Sequence, residues 1–175
     1  MLKSIMNKQK ASQLILLSKA MLIIIALLFS FTACVQSSGL VSEKEVVKLI
    51  RVVDGDTAYF ITPSFGEVSV RFSGINTPEI NPKTGQPEYY GVEAKNFTNK
   101  ILKEAKLIEI QWDLTQDKSG DRELGIIFAD GVNLNILLVQ EGYADLRYLK
   151  DHMPYAKEYK VAQKKAQAMK IGIWK

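Results

Sequence analysis

Val46-Val47-Lys48-Leu49-Ile50-Arg51-Val52-Val53 runs straight into Asp54-Gly55-Asp56 and then into Thr57-Ala58-Tyr59-Phe60-Ile61-Thr62. Two runs rich in β-branched residues that meet at an Asp-Gly predict a hairpin, because Gly accepts the positive φ that tight hairpin turns require. Pro63-Ser64-Phe65-Gly66 reads as a second turn. Glu67-Val68-Ser69-Val70-Arg71-Phe72 then alternates in the manner of a half-buried strand. Three consecutive strands with short turns imply an antiparallel meander.

Working outward, residues 81 to 87 hold two Pro and a Gly and read as a loop. Tyr90, Ala94, Phe97, Ile101 and Ala105 follow at helical spacing, which predicts a first helix over about 88 to 105. Leu107 to Trp112 and Leu124 to Phe128 are two further strands, and Asp130-Gly131 is a turn. Asn133 to Gln140 is a short apolar helix ended by Gly142, and Pro154 opens a third helix in which Tyr155, Tyr159, Ala162, Ala166 and Met169 share a face. Five strands, with one helix after the third and more at the end, predict an α+β protein, mainly β. The expected architecture is a five-stranded OB-fold Greek-key barrel with about three α-helices.

A chain of 175 residues with 47% hydrophobic and 24% charged residues has globular proportions, which excludes disorder throughout. One Cys and one His exclude a disulfide framework, a zinc cluster and a dithiol redox pair, so a metal would be held by oxygen. The net charge of +4 is uneven: Lys3, Lys8, Lys10 and Lys19 account for all of it, and from Cys34 onward acids and bases balance. Residues 147 to 175 carry eight basic side chains against Asp151 and Glu158. The body before them is therefore acidic and the C-terminal end basic.

Residues 1 to 33 read as an export signal. A lysine-bearing stretch to Lys19 precedes the apolar run Ala20 to Phe31, with small residues Thr32 and Ala33 before Cys34. The run is short for a membrane span, which wants about 20 apolar residues. Phe31-Thr32-Ala33-Cys34 resembles a bacterial lipobox, with Phe31 where that motif usually has Leu. Lipidation of Cys34 would consume the only thiol and anchor the chain to a cell membrane or outer envelope. An ordinary secretory signal and an uncleaved anchor are the alternatives. Residues 34 to 45 read as a tether to a folded domain over 46 to 175, expected to be a monomer.

Three clusters combine carboxylates, amides and arginines: Asp54-Gly55-Asp56-Thr57; Arg71 with Asn76-Thr77-Pro78-Glu79; and Asp117-Lys118-Ser119-Gly120-Asp121-Arg122. Ca²⁺ takes oxygen ligands, which Asp56, Asn76 and the Thr77 carbonyl can supply with water. Extracellular calcium modules work at about 10⁻⁴–10⁻³ M, so a sparse site agrees with export. Each cluster also has a plainer reading: Asp-Gly as turn chemistry, Thr-Pro-Glu as a helix start, Asp117 to Arg122 as a solvated loop, and Arg71 as a paired surface arginine.

Their order and spacing resemble the staphylococcal (thermonuclease-like) nuclease family. The resemblance runs from about Lys48 to Trp174, through Val53 to Thr57, Arg71 to Glu79, Tyr90-Gly91-Val92-Glu93-Ala94, Asp117 to Gly120, Ala129-Asp130-Gly131 and Ile173-Trp174. It implies an OB-fold barrel and a Ca²⁺-dependent phosphodiesterase acting on DNA and RNA. By position it implies Asp56, Asn76 and the Thr77 carbonyl as metal ligands, supported by Asp54. Glu79 would act on the attacking water, and Arg71 and Arg122 would hold the phosphate. Tyr148 matches a nucleotide-side tyrosine, and Lys118 and Lys150 are candidate phosphate contacts.

Two departures bear on this. Asn76 stands where the best-known members have Asp, which removes one negative charge from the metal site. Ser119 replaces a usual aromatic residue, and Asp121 is an extra residue between Gly120 and Arg122, which either displaces Arg122 or is absorbed in the loop. The alternative to a nuclease is an OB-fold module that binds nucleic acid with weakened catalysis.

Overall fold

Val47 interrupts an otherwise continuous extended segment, and this break decides how the sheet closes. A computed structural model of the chain describes residues 41–81 and 83–175. Strand β1 (Val41–Val46) precedes Val47, and β2 (Lys48–Asp54) follows it. Val47 is buried, and its N–H donates to the Ile108 carbonyl at 3.0 Å, which fixes the bend. The half before the bend pairs with β5 (Ile108–Asp113), and the half after it pairs with β3 (Thr57–Thr62), both antiparallel.

The remaining strands are β4 (Gly66–Phe72), β6 (Glu123–Ala129) and the two-residue β7 (Val132–Asn133). The sheet order is β1-β5-β6-β4-β3-β2, with β7 on β6. Its two ends, β1 and β2, meet at Val47, so the sheet closes on itself. If β1 and β2 count as one bent strand and β7 as an extension of the β6 hairpin, this is the five-stranded OB barrel expected. All neighbours are antiparallel except β4 and β6, where Val70, Arg71 and Phe72 align with Glu123, Leu124 and Gly125.

One expectation is corrected. Residues 41 to 45, assigned to the tether, belong to β1, and their polar side chains are used in the barrel. Ser42 Oγ accepts from the Trp112 N–H at 2.9 Å, Glu45 accepts from the Trp112 indole at 2.8 Å, and the Lys44 ammonium sits 3.3 Å from the centre of the Phe128 ring. The export signal, Cys34 and residues 34 to 40 lie outside the described residues. Among the described residues no helix is long and apolar enough to cross a membrane.

Helix α1 (Gly91–Glu104) begins three residues later than the periodicity suggests, because Tyr90 takes a left-handed conformation at φ 68°. It buries Ala94, Thr98 and Leu102. Helix α2 (Leu134–Gln140) is capped by Asn133, whose side chain accepts from the Ile136 N–H. Helix α3 (Ala156–Met169) buries Ala156, Tyr159, Ala162 and Ala166. Phe60, Phe72, Ile110, Ile127, Leu138 and Tyr159 are among the core side chains these elements enclose. Asn135 is fully buried; it accepts from the Ile127 N–H and donates to the carbonyls of Ser73 and Gly125, tying α2 to the ends of β4 and β6.

Candidate active site

Strand register brings the three sequence clusters together. Thr57 pairs with Arg71 across β3 and β4, so the Asp54–Thr57 hairpin lies beside Arg71. Arg71 aligns with Leu124 across β4 and β6, which brings in the loop that ends at Arg122. The β2–β3 pairing shifts register between Val52 and Asp54, and such an irregularity re-aims the side chains next to it. Helix α1 supports the turn from behind, where Thr98 Oγ1 donates to the Gly55 carbonyl at 2.6 Å.

Asp56 is fully buried at the centre. One of its carboxylate oxygens accepts from the Thr77 N–H at 2.6 Å, the other forms an ion pair with Arg71, and its own N–H donates to Asp54 at 3.1 Å. Arg71 is also buried, and its guanidinium donates to Glu79 at 3.3 Å and to the Asn76 amide oxygen at 3.1 Å. One cation therefore lies among the oxygens of Asp56, Asn76 and Glu79. Burial, only partly offset by Arg71, pushes the Asp56 carboxyl up to about 8. Burial and then the Asp54 charge raise the half-exposed Glu79 carboxyl above its ordinary range, against the lowering effect of Arg71.

Among the described residues no three Asp, Glu, His or Cys side chains gather as metal ligands, and Arg71 already engages an oxygen of both Asp56 and Asn76; what the loop offers a hard divalent cation is the type of its donors. They are all oxygens, and burial around Asp56 favours a compensating positive charge. Thr77 adds two free acceptors: its buried Oγ1 has no partner, and its carbonyl accepts no hydrogen bond among the described residues. Asp56, Asn76 and Thr77 would hold the ion, with Asp54 bracing Asp56 from behind.

Beside this cluster is a cleft of about 570 Å³ lined by Arg71, Glu79, Lys118, Arg122, Tyr148 and Lys150 among others. The extra residue Asp121 is absorbed. Ser119 and Arg122 form an antiparallel bridge with Gly120 and Asp121 at the tip, and the Arg122 side chain donates back to the Ser119 carbonyl at 3.3 Å and hydroxyl at 3.2 Å. Arg122 thus reaches the same cleft as Arg71, close enough for its charge to act on Glu79. Tyr148 is exposed, with the Arg71 guanidinium 6.0 Å from its ring centre. Lys118 is exposed and paired with Glu123.

The staphylococcal nuclease homologue family matches over residues 69–175. The thermonuclease of Staphylococcus hyicus is 32% identical over 142 residues, covering 79% of this chain and 82% of its own length. The chain belongs to the staphylococcal nuclease homologue family. The thermonuclease of Staphylococcus intermedius is 32% identical over 140 residues, covering 79% of this chain and 80% of its own. The SPbeta prophage-derived endonuclease YokF of Bacillus subtilis is 30% identical over 130 residues, which cover 73% of this chain and 43% of that protein.

Within this nuclease homologue three side chains escape the sequence reading. Thr98 holds the hairpin turn, and Glu88 accepts from the Glu79 N–H at 3.1 Å. Arg147 lines the cleft beside Tyr148 and is gripped by Asp145 through Nε and Nη2. Only the last had a local signal, an Asp and an Arg two residues apart; the other two bonds span 43 and 9 residues of chain.

Proposed function

We propose that this protein is a Ca²⁺-dependent nuclease that hydrolyses phosphodiester bonds of DNA or RNA in flexible or single-stranded form. The observation that carries the reading is the convergence of Arg71, Arg122 and Glu79 on one cleft beside the buried Asp56. As water attacks phosphorus, negative charge grows on the non-bridging oxygens, and two guanidinium forks donate paired hydrogen bonds there. Glu79 orients the water and takes up its proton while the ester bond to the leaving oxygen breaks. Its raised pKa makes it a better base near neutrality than an ordinary carboxylate. A divalent cation at Asp56, Asn76 and Thr77 supplies Lewis-acid neutralisation of a phosphoryl oxygen when bound.

Export through residues 1 to 33 and anchoring by a lipidated Cys34 would put the protein where calcium is abundant, and this belongs to the same proposal. The test is degradation of single-stranded DNA and of RNA by the purified protein with calcium, with magnesium and with EDTA. Calcium-supported cleavage abolished by EDTA is expected. Salt-sensitive binding without cleavage would return the protein to the alternative, a nucleic-acid-binding OB module. Radiolabelled fatty acid that fails to enter the chain in a bacterial host, or enters a Cys34→Ser variant equally, would remove the anchor.

A further inference from the structure

A second cleft, of about 320 Å³, shares Arg147 with the reactive one. This arginine is a fixed feature despite being 62% exposed. Asp145 holds its Nε and Nη2 edge, with Nη2 at 2.9 Å, and Nη1 has no partner among the described residues. Asp145 is itself fixed to the proposed metal loop, because its N–H and carbonyl pair with the carbonyl and N–H of Asn76 at 2.8 and 2.9 Å. A guanidinium clamped along one edge presents the opposite edge to a ligand, and that fork suits a phosphate.

The second cleft differs in chemistry from the first. Its walls include Pro78, Trp174 and Tyr89, whose ring is 67% exposed and packs edge-on against Tyr90 at 4.8 Å. Its other charged residues are Glu88 and Asp145, so the interior repels a phosphate but offers a flat aromatic surface. Bases stack on such surfaces with little regard to sequence.

We propose that the second cleft takes the base of the next nucleotide along the strand beyond the two joined by the reactive phosphodiester, stacked on Tyr89, while Arg147 grips the phosphate that links it to them. The inference rests on the nuclease reading and extends the substrate site by one nucleotide. It makes the protein prefer strands long enough to fill both clefts.

The test measures binding by fluorescence anisotropy in calcium, in a Glu79→Gln background that slows cleavage. The probes are a dinucleotide, short enough for the first cleft, and a single-stranded hexanucleotide. Arg147→Ala is expected to weaken hexanucleotide binding and to lower the slope of log affinity against log salt by about 0.7, the contribution of one phosphate contact on a single strand. Tyr89→Ala should weaken hexanucleotide binding roughly tenfold, in the range of one lost base stack, without changing the slope. Tyr89→Ala should bind the dinucleotide like the background protein, and Arg147→Ala should lose less on the dinucleotide than on the hexanucleotide. Equal losses on both lengths, or no loss on the hexanucleotide, would overturn the second cleft while leaving the nuclease reading intact. Failure of the unsubstituted protein to bind or cleave either strand would overturn both.

Discussion

A strand and a loop deliver the two arginines of the cleft, and they are built on opposite principles. Arg71 leaves a barrel strand and is locked among Asp56, Asn76 and Glu79 with about 7% of its surface exposed. Arg122 sits at the end of a surface turn and is held by contacts within its own loop, to Ser119. The first arrangement ties the reactive geometry to the stability of the whole barrel. The second places Arg122 at the cleft through a short segment that holds Asp121 at its tip.

The largest expected effect is therefore at Arg71. Arg71→Ala removes a donor to the transition state, which costs about 10²–10³-fold in turnover. It also strips the buried Asp56 carboxyl of its guanidinium partner, and that carboxyl, already raised to about 8, then stays protonated with a hydrogen bond unmade, a loss of about 1–3 kcal/mol. Melting and cleavage should fail together. Arg122→Ala should lose activity by a similar factor, about 10²–10³, while its stability stays within about 0.5 kcal/mol of the parent. An Arg122→Ala protein that melts early or cleaves at the parental rate would erase the distinction between the strand-borne and the loop-borne arginine.

The same contrast explains what could be read from the sequence. The Asp54–Thr57 hairpin and the Arg71 strand are legible because an Asp-Gly turn and strict alternation are local signals, and the barrel then forces them together. Strand β1 is not legible, because Val-Ser-Glu-Lys-Glu-Val has the composition of a linker until Trp112 and Phe128 arrive from elsewhere in the chain. Whether Asp121 displaces Arg122 depends on the Ser119–Arg122 bridge, a matter of turn geometry that residue counting leaves open. Arg147 acquires its position only through the pairing of Asp145 with Asn76, across a separation that no periodicity reports.

A smaller effect concerns protons in the buried half alone. The Asp56 carboxyl sits at about 8 in the metal-free fold against an ordinary 3.8, so folding takes up a proton between those values. Stability from this group is full below the lower value and is lost as pH rises through the upper one. Metal-free protein should accordingly melt at a lower temperature at about pH 8 than at about pH 5, and Asp56→Asn should flatten that dependence. Metal binding, which needs the ionised carboxylate, should release protons over the same interval. Calorimetry in two buffers of different ionisation enthalpy reads that release, and none is expected from the Arg122 loop.

The smallest effects come from the glycine at each turn, and they separate crowding from backbone strain. A Cβ on Gly55 would lie 2.7 Å from Thr77 Oγ1 and Cγ2 and 2.8 Å from the Ala94 Cβ. Gly55→Ala must push Thr77 away from Asp56 or shift α1, at about 1–3 kcal/mol for overpacking, and should weaken metal binding as well. Gly120 has open space around it but a φ of +65°. Gly120→Ala therefore costs only the left-handed penalty of about 1–2 kcal/mol. Part of that strain is relieved if the turn relaxes, and relaxation draws Arg122 away from the cleft. Turnover should then fall severalfold with metal affinity unchanged, whereas Gly55→Ala should lower metal affinity first. Gly120→Asn, which tolerates the left-handed region better than Ala, should recover turnover if strain at the turn is the cause.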